Sequence, residues 1–178
     1  DPEARIHINA TEAFSFRALD QVHAASQGKS RIIITADKSG IANSRNGSTH
    51  QSVSQSFSFN WLNNSTFLEP ADAEDFFTCM NYAFVNNNSV FYIRCHSVNS
   101  KHLPKIGFVL NKINPWYEIG YRKVIKPDII LVTSGITSTF AYNVLPMLRK
   151  YKIKAKIINV TAPNMLDQNF VKQFTKDK

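Results

Sequence analysis

Two side chains stand in settings where their chemistry is useful. His50 lies in the polar stretch Asn46-Gly47-Ser48-Thr49-His50-Gln51, and an imidazole exchanges a proton near neutral pH. Arg94 ends the run Val90-Phe91-Tyr92-Ile93-Arg94, and a planar guanidinium fork suits an anion. By residue type alone each has a plainer reading. His50 could be a surface histidine, and Arg94 could cap a strand and reach solvent. Phe14, in an aromatic-rich stretch, reads equally as a core residue. His23, His96 and His102 fit no pattern and read as structural. Cys79 and Cys95 form no Cys-x-x-Cys pair, so neither zinc nor a disulfide framework is indicated.

The elements that would carry these residues alternate between strand and helix, the pattern of an α/β fold with a largely parallel sheet flanked by helices. Residues 14–26 read as a helix with Phe14, Ala18, Val22 and Ala25 along one side. Residues 31–35 (RIIIT) and 90–94 (VFYIR) are short β-branched and aromatic runs, typical of strands buried on both faces. Asp37-Lys38-Ser39-Gly40-Ile41 follows the first of them and opens a polar loop, and α/β sheets bind ligands at such strand ends. A short strand at 65–68 precedes Asp72, which reads as an N-cap, with Glu74 and Asp75 in the first turn of a helix reaching about residue 85. Residues 128–133 begin a second α/β unit. Its helix contains Pro146, which should kink it or shift its start, and a strand follows at 156–160. Residues 101–122 read as a linker holding at most short strands near 106–110 and 116–119, so the expected division is 1–100, 101–122 and 123–178.

Hydrophobic residues make up 43% of the 178 positions, enough for a real core, and no apolar run is long enough to span a bilayer. With no apolar segment resembling a leader at its start, the chain is read as cytoplasmic. Charge is uneven: residues 1–100 hold 7 basic and 9 acidic residues, a net −2, and residues 101–178 hold 14 and 4, a net +10. The lysines are scattered over several elements and are not interleaved with aromatics, which favours a solvated face over a nucleic-acid surface.

Four segments, in order, carry a family resemblance. Phe14-Ser15-Phe16-Arg17-Ala18-Leu19-Asp20-Gln21 is similar to the F-x-x-R-A-Y-D-Q helix of transketolases and deoxyxylulose phosphate synthases. Asp37 to Ile41 with Asn46 to Gln51 resembles their D-R-A-G-I…D-G-x-T-H-Q loop, and Glu69-Pro70-Ala71-Asp72-Ala73-Glu74 resembles their P-A-D-A-x-E segment. Asp128 to Gly135, with Asn159-Val160 and Leu166-Asp167, resembles the start of their C-terminal domain. The resemblance implies the late part of a pyrimidine-binding domain joined to the start of a C-terminal domain. It also implies thiamine diphosphate with Mg as cofactor, shared with a diphosphate-binding domain in another part of the polypeptide, a partner subunit or the other half of a homodimer. Phe14 would pack against the aminopyrimidine and His50 would face the reacting substrate. Arg94 would grip a sugar phosphate, with Lys38 and Asn46 as further substrate contacts. No metal ligand in this chain is implied.

The chain also departs from the pattern. Asn46 replaces an acidic residue, Leu19 replaces the tyrosine, and Ser44-Arg45 lengthens the loop. The glutamate that activates the aminopyrimidine is expected outside this sequence, since Glu12 lies too close to the Phe14 helix, and no diphosphate-and-metal motif is visible. The expected function is therefore a module of a thiamine-diphosphate-dependent enzyme, transferring a two-carbon ketol unit between phosphorylated sugars and incomplete for catalysis alone. The alternative is a degenerate, non-catalytic scaffold of the same fold.

Overall fold

A computed structural model describes residues 4–41, 46–53, 58–59, 62–86 and 90–175. Ser44 and Arg45, the loop extension noted above, lie outside them. The described chain forms two four-stranded sheets. The first has order β1-β2-β4-β3 and is parallel throughout: β1 (Ile6–Thr11), β2 (Ile32–Asp37), β3 (Ser65–Leu68) and β4 (Val90–Arg94). The second has order β5-β6-β8-β7: β5 (Lys105–Ile106), β6 (Trp116–Ile119), β7 (Ile129–Thr133) and β8 (Ala155–Val160). Here β7 and β8 run parallel, while β6 is antiparallel to both β5 and β8. Strands β5 and β6 thus draw the stretch around residues 105–119 into the second sheet.

The first sheet is held by alternation along its two inner strands. Ile34 and Ala36 of β2, with Val90 and Tyr92 of β4, bury into one core with Val22, Phe59 and Phe67. Ile33, Phe91 and Ile93 point the other way, onto Leu68, Cys79 and Ala83. Successive side chains on a strand face opposite ways, so a strand apolar at every position needs cover on both faces. The first cover is α1 (Glu12–Ser15), continued through a 3-10 turn into α2 (Leu19–Gln27); the second is α3 (Ala73–Val85). Asp72 caps α3 by accepting the Asp75 amide at 3.0 Å. Tyr92 stacks on Phe59 at 4.0 Å and on Phe67 at 5.8 Å, with both rings nearly parallel to its own.

In the second sheet Leu103, Tyr117, Ile119, Leu145 and Ile157 form one core, and Ile158, Val160 and Phe170 another. Helix α4 (Thr137–Lys150) starts directly after the turn that follows β7 and runs through Pro146. A short α5 (Lys172–Thr175) follows β8. Strand β1 was not apparent in the sequence. It is an edge strand whose Ile6 is 58% and Ile8 42% exposed, so its apolar pattern signals no buried core. Among the described residues no helix is long and apolar enough to cross a membrane.

Candidate functional site

Parallel pairing sends the carboxyl ends of β1 to β4 to one edge of the first sheet. Thr11 is registered with Asp37, Ala36 with Arg94, and Leu68 with Ile93. Each strand therefore releases a polar residue at the same level: Glu12, Lys38, Glu69 and Arg94. The turn after β2 is pinned there by Ser39 N–H donating to the Cys95 carbonyl at 3.0 Å and by Ser52 N–H donating to the Gly40 carbonyl at 3.1 Å. Gly40, at φ +78, takes the left-handed conformation that turns its amide toward Glu12.

Glu12 is fully buried, and its carboxylate organises this edge. It accepts from Arg94 Nε at 2.7 Å and Nη2 at 3.1 Å, from the Gly40 amide at 3.2 Å and from the Tyr92 hydroxyl at 3.4 Å, and also from Ser52 Oγ in a short contact. Tyr92 Oη in turn meets Ser15 Oγ at 2.9 Å. Glu69, at the end of β3, takes the rest of the guanidinium: Arg94 Nη1 donates to it at 2.6 Å. Its second oxygen accepts from Ser134 Oγ, in the turn after β7, at 2.9 Å. His96 Nε2 lies 3.3 Å from Glu69 Oε1, and its Nδ1 lies 3.3 Å from the Ser39 carbonyl. Burial works against the charge on Glu69, but His96, the Arg94 charge and Ser134 together hold its carboxyl below the usual range. Arg94 is likewise disfavoured by burial and then held above its ordinary value by the two glutamates. The Cys95 thiol is pushed up to about 12 by burial and by the Asp37 and Glu12 carboxylates. Gly135 closes over this cluster at φ +55; a Cβ there would sit 2.8 Å from both Glu69 Cγ and His96 Nε2.

The structure brings two of the expected site residues together. The Phe14 and His50 rings meet at 5.1 Å and 69°, and Phe14, 37% exposed, carries the Arg17 guanidinium over its ring at 5.2 Å. His50 Nδ1 pairs with Thr49 Oγ1 at 3.0 Å, which leaves Nε2 for another partner. Lys38 is half-buried at φ +53, and Asn46 is exposed. Neither makes a hydrogen bond or ion pair with the other expected residues. Arg94 is ion-paired to Glu12 and Glu69 and lines a pocket of about 170 Å³ with Ala71, Phe76, His96 and Ile136. Sequence reasoning did not find Glu12, Glu69 or Ser134. For Glu69 the available signal was position, directly after a strand as Arg94 ends one; Glu12 offered none, because β1 was not apparent.

Comparison with known proteins gives this edge its context. Residues 5–101 match the transketolase pyrimidine-binding domain. The chain belongs to that family. It is 27% identical over 168 residues to 1-deoxy-D-xylulose-5-phosphate synthase of Listeria monocytogenes, covering 93% of this chain and 27% of that enzyme. A mutant transketolase from Pichia stipitis superposes with a TM-score of 0.84 at 19% identity, over 94% of this chain and 25% of its own. A split-gene transketolase described as an inactive β4 tetramer superposes with a TM-score of 0.76 at 18% identity, over 96% of this chain and 53% of its own. The chain thus spans about a quarter of the length of the full-size enzymes it resembles. The fold is that of the transketolases, and membership of the family implies dependence on thiamine diphosphate.

The residues present fit one end of that cofactor. Phe14 offers a part-exposed aromatic ring at the strand ends, suited to stacking on a heterocycle. Glu12 is not placed to serve such a ring, being buried and held by Arg94. The cluster Asp72, Glu74 and His102 has the spacing of a metal site, but Lys105 Nζ already lies 2.6 Å from Asp72 and 2.7 Å from Glu74. We assign no Mg there.

Proposed function

We propose that this chain is the pyrimidine-side module of a thiamine-diphosphate-dependent, transketolase-like transferase that moves a two-carbon ketol unit. A diphosphate-binding domain, in the same polypeptide, a partner subunit or a second copy, completes the site. The observation that supports this reading is the Phe14–His50 pair at the carboxyl ends of the parallel strands, the place where such sheets bind ligands. The cofactor, when bound, supplies the carbanion chemistry. Phe14 packs against its ring and excludes water from that face. His50, with Nδ1 tied to Thr49, exchanges a proton with substrate at Nε2. The domain division is placed at residues 101–122. The resemblance assigns a sugar phosphate to Arg94, Lys38 and Asn46, but Arg94 is already engaged by two carboxylates.

That engagement is the observation that favours the second reading, a non-catalytic scaffold of the same fold. Calorimetric titration of the full-length protein, with any subunit that copurifies, against thiamine diphosphate and Mg separates the two. Saturable binding, weakened about tenfold by Phe14→Ala, supports the enzyme module. Absence of cofactor binding by the intact assembly leaves the scaffold.

A further inference from the structure

We infer that this crevice accepts an uncharged hydroxyaldehyde or hydroxyketone and turns away phosphate esters, because the Glu12–Arg94–Glu69 triad keeps its arginine closed. The inference rests on the proposed function and names the substrate class of that site. An arginine grips a phosphate through two parallel N–H donors on one side of the guanidinium. On Arg94 the Nε/Nη2 side is already taken by both oxygens of Glu12, at 2.7 and 3.1 Å. The Nη1/Nη2 end is half taken by Glu69 at 2.6 Å. No complete fork remains. Moving Glu12 aside is unfavourable, since it is fully buried and would leave a carboxylate in the interior without its counter-charge.

The local field adds to the effect of geometry. Two carboxylates face one guanidinium. A phosphate dianion entering here meets like charge at low dielectric. An uncharged hydroxyaldehyde or hydroxyketone carries no such charge and meets no such repulsion.

The test uses the full-length protein with any copurifying subunit and two probes, ribose and ribose 5-phosphate, measured by calorimetry. The expected result is that wild type binds the ester no tighter than the sugar. Glu69→Gln, which keeps the shape of the side chain and removes its charge, should raise affinity for the ester about tenfold or more over the sugar. Adding Arg94→Ala should abolish that gain. A wild type that prefers the ester by tenfold, with the preference lost in Arg94→Ala, overturns the inference. So does a folded Glu69→Gln protein as indifferent to the phosphate as wild type. If Glu69→Gln does not fold, the wild-type comparison decides alone. Cofactor binding is read in a separate titration, so failure of the proposed function and failure of this inference give different results.

Discussion

Asp75 is a buried carboxylate and Glu69 a half-buried one; both reach from the first sheet to the second, and they are pushed in opposite directions. Glu69 faces Arg94, donates nothing, and is held below the ordinary carboxylate range. Among the described residues no cation pairs with Asp75. It accepts from the Ala71 amide at 2.9 Å, the Tyr117 hydroxyl at 2.9 Å and Thr161 Oγ1 at 3.1 Å, yet burial, with Asp72 adding to it, pushes its carboxyl up to about 6. Three neutral donors do not make up for lost water at Asp75, where His96, the Arg94 charge and Ser134 together do so at Glu69. One carboxylate therefore serves the strand-end crevice as a charge, and the other serves the joint between the sheets mainly as a hydrogen-bond hub.

The sharpest way to break the comparison is to remove the cation. Arg94→Ala strands Glu12 and Glu69 together, and denaturant unfolding should show a loss of about 3–5 kcal/mol. The next effect is one of pH. The folded chain keeps Asp75 protonated up to about pH 6, whereas the unfolded chain releases that proton near pH 4. Between these values the folded state binds more protons, so Asp75 makes stability fall as pH rises, by about 3 kcal/mol in all, and adds no slope above pH 6. Asp75→Asn should remove that component from a pH series of melting curves. Glu69 works the other way: its contribution is present above its unfolded pKa and is lost as pH falls through the lower folded value. Glu69→Gln should cost about 1–3 kcal/mol at neutral pH and remove that acid-side loss. The smallest effect lies outside both carboxylates. His50→Ala removes the ring contact with Phe14 and should cost about 0.5–1.5 kcal/mol in thermal unfolding.

Much of this architecture was legible in the sequence, because buried parallel strands announce themselves. Strands β2 and β4 are apolar at nearly every position, and Asp72 is a plain helix cap. The short polar-apolar alternation of Ile6-His7-Ile8-Asn9 was not legible, since an edge strand half in solvent carries a weak pattern. The same limit hid the crevice. The family motifs pointed to Phe14 and His50, but the partners of Arg94 lie 82 and 25 residues away in the chain. No local spacing reveals an ion pair formed only when four strands end side by side. Arg94 looked available for a ligand because its carboxylates could not be seen.

Gly135 gives the arrangement a mechanical reading. With a virtual Cβ 2.8 Å from Glu69 and His96, any side chain there becomes a wedge driven between the second sheet and the strand-end cluster. The left-handed backbone resists the same replacement. One hydrogen atom thus sets the clearance at which the turn after β7 rests on the crevice, and widening that gap would loosen Glu69, and with it the grip on Arg94, from outside the crevice itself.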